Sequence, residues 1–78
     1  ADVYPNPTNG HFNVAVLGVT EGVVLLEVLD ITGKAIEVIT INSPSNDILQ
    51  LGGSYGAGVY MMRFTQGDKM FTTRVVKN

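Results

Sequence analysis

The chain has no cysteine and no tryptophan, and its 78 residues include a single histidine. Without cysteine there can be no disulfide, no zinc–thiolate site and no thiol nucleophile. A chain this short must then be held together by packing alone. Charge is also scarce: 15% of residues are charged and the net charge is −2, which leaves no basic footprint for nucleic acid. No run approaches the ~18 apolar residues of a membrane helix, because Glu21, Glu27 and Asp30 bracket the most hydrophobic stretch. No window keeps a helical period over the ~11 residues a helix needs to be recognised. The sequence opens at Ala1, with neither a methionine nor a targeting segment ahead of it. That beginning points to one domain, residues 1–78, cut from a larger protein.

What is present is alternation. Hydrophobic residues make up 45% of the chain, enough to argue for a packed domain over disorder. The clearest pattern is in the last third, Ala57 to Lys77, which reads as a β-hairpin. Tyr60, Met62 and Phe64 fall on one face of its first strand, and Val59, Met61 and Arg63 on the other. Gln66-Gly67-Asp68 is the reversal, with Gly67 free to take positive φ. Phe71, Thr73 and Val75 share a parity on the return strand, where Lys69, Arg74 and Lys77 are expected to face water.

Upstream, Tyr4-Pro5-Asn6-Pro7-Thr8-Asn9-Gly10 reads as a short strand followed by a turn, since proline biases the preceding residue away from the helical region. Phe12, Val14 and Val16 then alternate inward. In Val23 to Leu29, an outward Glu27 sends Val24, Leu26 and Val28 to the core and leaves Leu25 and Leu29 outside. Asp30-Ile31-Thr32-Gly33-Lys34 is a turn in which Asp30 accepts backbone N–H groups and Gly33 takes the left-handed position. In the strand Ala35 to Ile41, an outward Glu37 would make Ile36 and Val38 core residues. After the polar cluster Asn42 to Asp47, Ile48 to Leu51 is a short strand with Leu49 and Leu51 inward. The glycine-rich loop from Gly52 to Gly58 feeds a strand and no helix, so it reads as a crossing between sheets and not as a phosphate cradle. Six or seven short strands separated by turns predict an all-β, immunoglobulin-like antiparallel sandwich.

The chemical inventory points away from catalysis. His11 lies beside a turn on an outer face, the carboxylates are scattered, and Ser43, Ser45 and Ser54 have no nucleophile-elbow context. No cofactor or metal set is recognisable; Asp30 alone is too little for a cation loop.

Four stretches together resemble a known family. Tyr4-Pro5-Asn6-Pro7-Thr8-Asn9-Gly10-His11-Phe12-Asn13-Val14 is similar to the opening of type IX secretion C-terminal sorting domains of type A. Val28-Leu29-Asp30-Ile31-Thr32-Gly33-Lys34 resembles their middle turn, and Gly58-Val59-Tyr60 their Gly-x-Tyr strand start. Arg74-Val75-Val76-Lys77 resembles their basic–apolar–apolar–basic finish, and all four occur in the family's order. The chain departs from the pattern in ending on Asn78 and in carrying Tyr55 near the place of a common leucine.

The resemblance implies an immunoglobulin-like fold and a removable address label without catalytic activity. It implies a passenger attached in cis on the N-terminal side, which reaches the periplasm and then the cell surface or the medium. It further implies recognition by the outer-membrane translocon and cleavage by a sortase-like cysteine protease. Lys69, Arg74, Val75, Val76 and Lys77 are the expected recognition residues, read at an open strand edge. Deleting Arg74 to Asn78 would then block export and leave most of the sandwich folded. Two other readings compete. One is a fibronectin-like spacer or carbohydrate-binding module, with Tyr55 as its exposed ring; the other is a homodimer formed through open edges and the outward Leu25 and Leu29.

Overall fold

Two antiparallel sheets hold all the strands described in the computed structural model, which describes residues 2–15, 22–42 and 48–78. In chain order the strands are β1 (Asp2–Tyr4), β2 (Phe12–Ala15), β3 (Val23–Leu29), β4 (Ala35–Asn42), β5 (Ile48–Leu51), β6 (Gly58–Gln66) and β7 (Lys69–Lys77). The smaller sheet has the order β1-β2-β5 and the larger β4-β3-β6-β7. The chain therefore changes sheets between β5 and β6, across the glycine-rich loop. No helix occurs among the described residues.

Alternation sets the core as expected on most strands. Phe12 and Val14 from β2, Val24, Leu26 and Val28 from β3, and Met62, Phe64 and Val75 from the terminal hairpin are buried together with Leu51. Burying such a side chain completely is worth about 1.5–3 kcal/mol, so this cluster is the main source of cohesion in a domain without cross-links. Val16 lies outside the described residues.

Strand β4 departs from expectation. Its register sets Val28 opposite Glu37, Leu26 opposite Ile39 and Val24 opposite Ile41. Residues directly opposite share a face, so Glu37, Ile39 and Ile41 turn inward, and Ile36 and Val38 turn out to 41% and 57% exposure. The cause is a bulge between Val28 and Leu29, which adds one residue to β4 and inverts its parity. Glu37 is tolerated on the inner face because the Tyr55 hydroxyl donates a hydrogen bond to it.

The hairpin closes on the two residues Gly67 and Asp68, with Gln66 paired to Lys69 and Gly67 at φ +60°. Its nine-residue strands outreach the four-residue strands of the other sheet, and Gly67, Asp68 and Lys69 at its tip are exposed. Phe71 shares the inward parity yet remains half exposed, resting against Phe64 with ring centroids 6.1 Å apart.

Candidate functional site

The terminal half of β7 is built into the fold from three sides. Tyr60 and Val75, and Gly58 and Lys77, are paired across the hairpin. Val75 is fully buried. On its other edge β7 is not open, because the segment Asn6 to Thr8 lies along it. The Asn6 side-chain amide donates to the Arg74 carbonyl at 2.9 Å, and its oxygen accepts from the Val76 N–H at 2.9 Å. Thr8 continues the pairing: its N–H donates to Val76 at 3.0 Å, and its carbonyl accepts from Asn78 at 2.8 Å, forming a parallel bridge to Lys77. The Tyr4–Pro5 and Asn6–Pro7 peptide bonds are both cis. Thr8 is itself buried; its hydroxyl donates to the His11 carbonyl and accepts from the Gly10 N–H, closing the turn that leads to β2.

Lys77 is the main correction to the sequence reading. It is 6% exposed, and its ammonium donates to the carbonyls of Gly10, Gly52 and Gly53 at 2.7, 2.5 and 3.3 Å. A buried ammonium needs such a set of acceptors to replace its hydration. The side chain thus pins the end of β7 to the two loops at one end of the β2–β5 pair, the one that enters β2 and the one that leaves β5, and it does not keep an edge soluble. The edge is not free at this end of the strand either, because Asn6 and Thr8 cover it. Removing 74–78 would take Val75 out of the core, break the bonds of Asn6 and of the Thr8 backbone to β7, and withdraw the Lys77 ammonium from three glycine carbonyls. Of the five expected recognition residues, Lys69 and Arg74 are exposed, Val76 is half-buried, and Val75 and Lys77 are hidden.

The other motif residues shape the backbone. Asp30 Oδ1 accepts from the Thr32 hydroxyl at 2.6 Å and from the N–H groups of Thr32 and Lys34 at 2.9 and 3.0 Å. These bonds, led by the Thr32 hydroxyl, hold its carboxyl below the usual aspartate range. Gly33 closes the turn at φ +89°, donating to the Asp30 carbonyl. Lys34 is exposed and returns its own carbonyl to the Asp30 N–H at 2.9 Å.

Tyr60 packs on the core and donates its hydroxyl to the Gly56 carbonyl, four residues back, at 2.6 Å. This bond ties the crossing loop to the start of β6, as a tyrosine corner does. Tyr55 lies against Tyr60 with centroids 5.2 Å apart. Burial, followed by the bond to Glu37, raises the Tyr55 phenol well above its usual range. The ring expected to be free for a sugar is thus engaged on both its face and its hydroxyl.

On the outer face of the larger sheet, Glu27 and Arg63 form a bidentate pair, Nε to Oε1 and a terminal nitrogen to Oε2, each at 3.0 Å. That pairing lowers the Glu27 carboxyl and raises the Arg63 guanidinium. His11 is exposed, and among the described residues no three acidic or imidazole groups converge as a metal site would require.

A profile of the secretion system C-terminal sorting domain matches residues 2–78. The chain belongs to this family. A sorting domain of this kind is the C-terminal signal of type IX secretion, a non-catalytic tail that works with an attached N-terminal passenger and the type IX machinery. It implies export through the outer membrane to the cell surface or the medium. No curated protein and no solved structure is matched by the chain.

Three features of the sorting domain lay outside the sequence reading. Asn6 acts as a peptide unit beside β7, Thr8 completes that edge, and Glu37 faces inward. A threonine two residues before a glycine does carry a local signal, the hydroxyl-closed turn. The contacts of Asn6 and Lys77 span 70 and 67 residues of sequence, and no local pattern announces them.

Proposed function

We propose that the export machinery reads the folded domain through groups that β7 displays, while the hidden motif residues hold β7 in place. In this reading Lys69, Arg74 and Val76 make contact, and Val75 and Lys77 position them. Asn6, Thr8 and Lys77 fix the strand's edge and end, so that the displayed groups keep one arrangement and recognition costs less ordering entropy. The observation that carries this reading is the contrast within one motif: Arg74 projects into solvent while Lys77, three residues on, is caged by three carbonyls.

Residues 1–78 form one domain at the C-terminal end of a larger exported protein. The passenger passes through the periplasm, the outer-membrane translocon engages the domain, and a sortase-like cysteine protease separates the two at the surface. The domain itself performs no catalysis.

A periplasm-targeted fluorescent reporter fused ahead of residues 1–78 tests this in a host with type IX secretion. Surface appearance in the competent strain, absence from a translocon-deficient strain and loss of the domain's mass from the reporter are the expected results. Equal retention in both strains would sink the reading.

A further inference from the structure

The outward side of the larger sheet is unusually apolar for an antiparallel sheet on which no described strand packs, since such faces are normally polar. The strand register arranges it in rows: Thr40, Leu25, Thr65 and Met70; then Val38, Glu27, Arg63 and Thr72; then Leu29, Met61 and Arg74; and last Val59 and Val76. Leu25, Leu29 and Met61 are half-buried only by their neighbours, while Val38 and Met70 are 57% and 64% exposed. Arg74 and Val76, the displayed part of the C-terminal motif, lie at one side of this same face.

From this continuity we infer that the outward face of β4-β3-β6-β7 is a docking surface for an apolar protein surface that carries a carboxylate opposite Arg74. The charges decide the partner. Glu27 is the only acid on the face among the described residues, and both its oxygens are held by Arg63. The Arg74 guanidinium has no ionic partner among the described residues. A second copy of this face would bring another apolar surface and another arginine but, among the described residues, no spare carboxylate. The passenger is disfavoured by placement, because the chain enters through β1, in the opposite sheet. A distinct protein with an acid set in an apolar surface meets both requirements, supplying the missing charge and covering the exposed side chains.

This inference rests on the sorting reading and names the face through which that reading operates. The test uses the reporter fused to residues 1–78, with Met61→Glu, Val38→Glu, Arg74→Glu and Arg74→Lys variants, each checked for folding by circular dichroism and thermal unfolding. Val38 is solvent-exposed, so its variant stays informative if Met61→Glu does not fold. Folded face variants and Arg74→Glu should lose surface reporter by at least about tenfold, the scale of a hot-spot loss, and Arg74→Lys should keep most of it. Normal export of folded Met61→Glu or Val38→Glu overturns the inference and leaves the sorting reading standing. Failure of the unsubstituted fusion to reach the surface overturns both. Sedimentation of the isolated domain at two concentrations completes the test: self-association abolished by Val38→Glu assigns the face to a second copy and overturns the inference, whereas a monomer at both concentrations supports it.

Discussion

Lys77, one residue from the end of the sequence, places its ammonium 2.5 Å from the carbonyl of Gly52, in the loop that leaves the other sheet. A residue that reads as a solvated terminal charge is therefore a cross-sheet tie. Lys77→Met keeps the apolar stem and removes the donor shared by three glycine carbonyls, of which Gly52 retains the Tyr55 N–H. The expected cost is about 2–4 kcal/mol, the scale for losing a charged donor from a buried acceptor set. Urea unfolding with an unchanged m-value measures it, and a loss within experimental error would show that the cage is incidental.

Asn6 offers a separable test of the covered edge. Asn6→Ala removes both bonds to β7 and should cost about 1 kcal/mol, since exposed hydrogen bonds have small net worth. Asn6→Asp keeps an acceptor for Val76 but sets a carboxylate against the Arg74 carbonyl, so it should be no better than alanine. Amide exchange at Val76 should quicken in Asn6→Ala. Unchanged protection there would mean that the segment does not cover the strand in solution.

Two glycines with similar backbone angles predict different costs. Gly33 sits at φ +89° with open space where a Cβ would go, whereas at Gly52, φ +86°, a Cβ would lie 2.9 Å from the Phe12 ring. Gly33→Ala should cost about 1–2 kcal/mol from the left-handed backbone alone. Gly52→Ala adds overpacking against a core ring and should cost about 1–3 kcal/mol more. Thermal midpoints of the two variants should differ by several degrees, at about 4–8 °C per kcal/mol for a domain of this size. Equal midpoints would refute the contact.

Tyr55 predicts an alkaline transition. Its phenol is raised in the folded state from the ordinary value of 10.0. The unfolded chain therefore loses this proton first, and stability falls as pH rises from about 10 toward the higher folded value. Below pH 10 the contribution is intact. Tyr55→Phe should flatten that part of the stability curve, and a curve of wild-type slope above pH 10 would exclude the effect.

Asp30 predicts the opposite limb. Its carboxyl is held below the ordinary 3.8 by Thr32 and Lys34, so its contribution is complete above that pH and is lost as pH falls through the depressed folded value. Asp30→Ala should lower the thermal midpoint at pH 7 and narrow its gap from wild type in acid. A gap that is constant with pH would show that the turn does not depend on the ionised carboxylate.

Much of this fold is legible locally because a period of two leaves little choice. Phe12 and Val14, the inward trio of β3, and Met62 with Phe64 are placed by alternation alone, and Asp30 with Gly33 fixes its turn within five residues. The parity of β4 is different. There the rule that a glutamate faces water competes with a bulge at Val28/Leu29, and the bulge prevails because Tyr55, from another loop, satisfies Glu37. The same holds for the candidate site. Arg74 and Lys77 are chemically alike in sequence, and only the distant turns at Gly10 and Gly52 decide that one is displayed and the other caged. The outward apolar face emerges only when four strands are set side by side.

The parallel bridge between Thr8 and Lys77 also has a mechanical meaning. A load applied between the two ends of the domain pulls Thr8 toward its N-terminal side and β7 toward its C-terminal side. The two segments run in the same direction, so they slide along one another instead of peeling apart. The bonds from Thr8 to Val76 and Asn78, and those from Asn6 to Arg74 and Val76, then share the tension at once. A tail built this way is a shear clamp for tension between Thr8 and the end of β7.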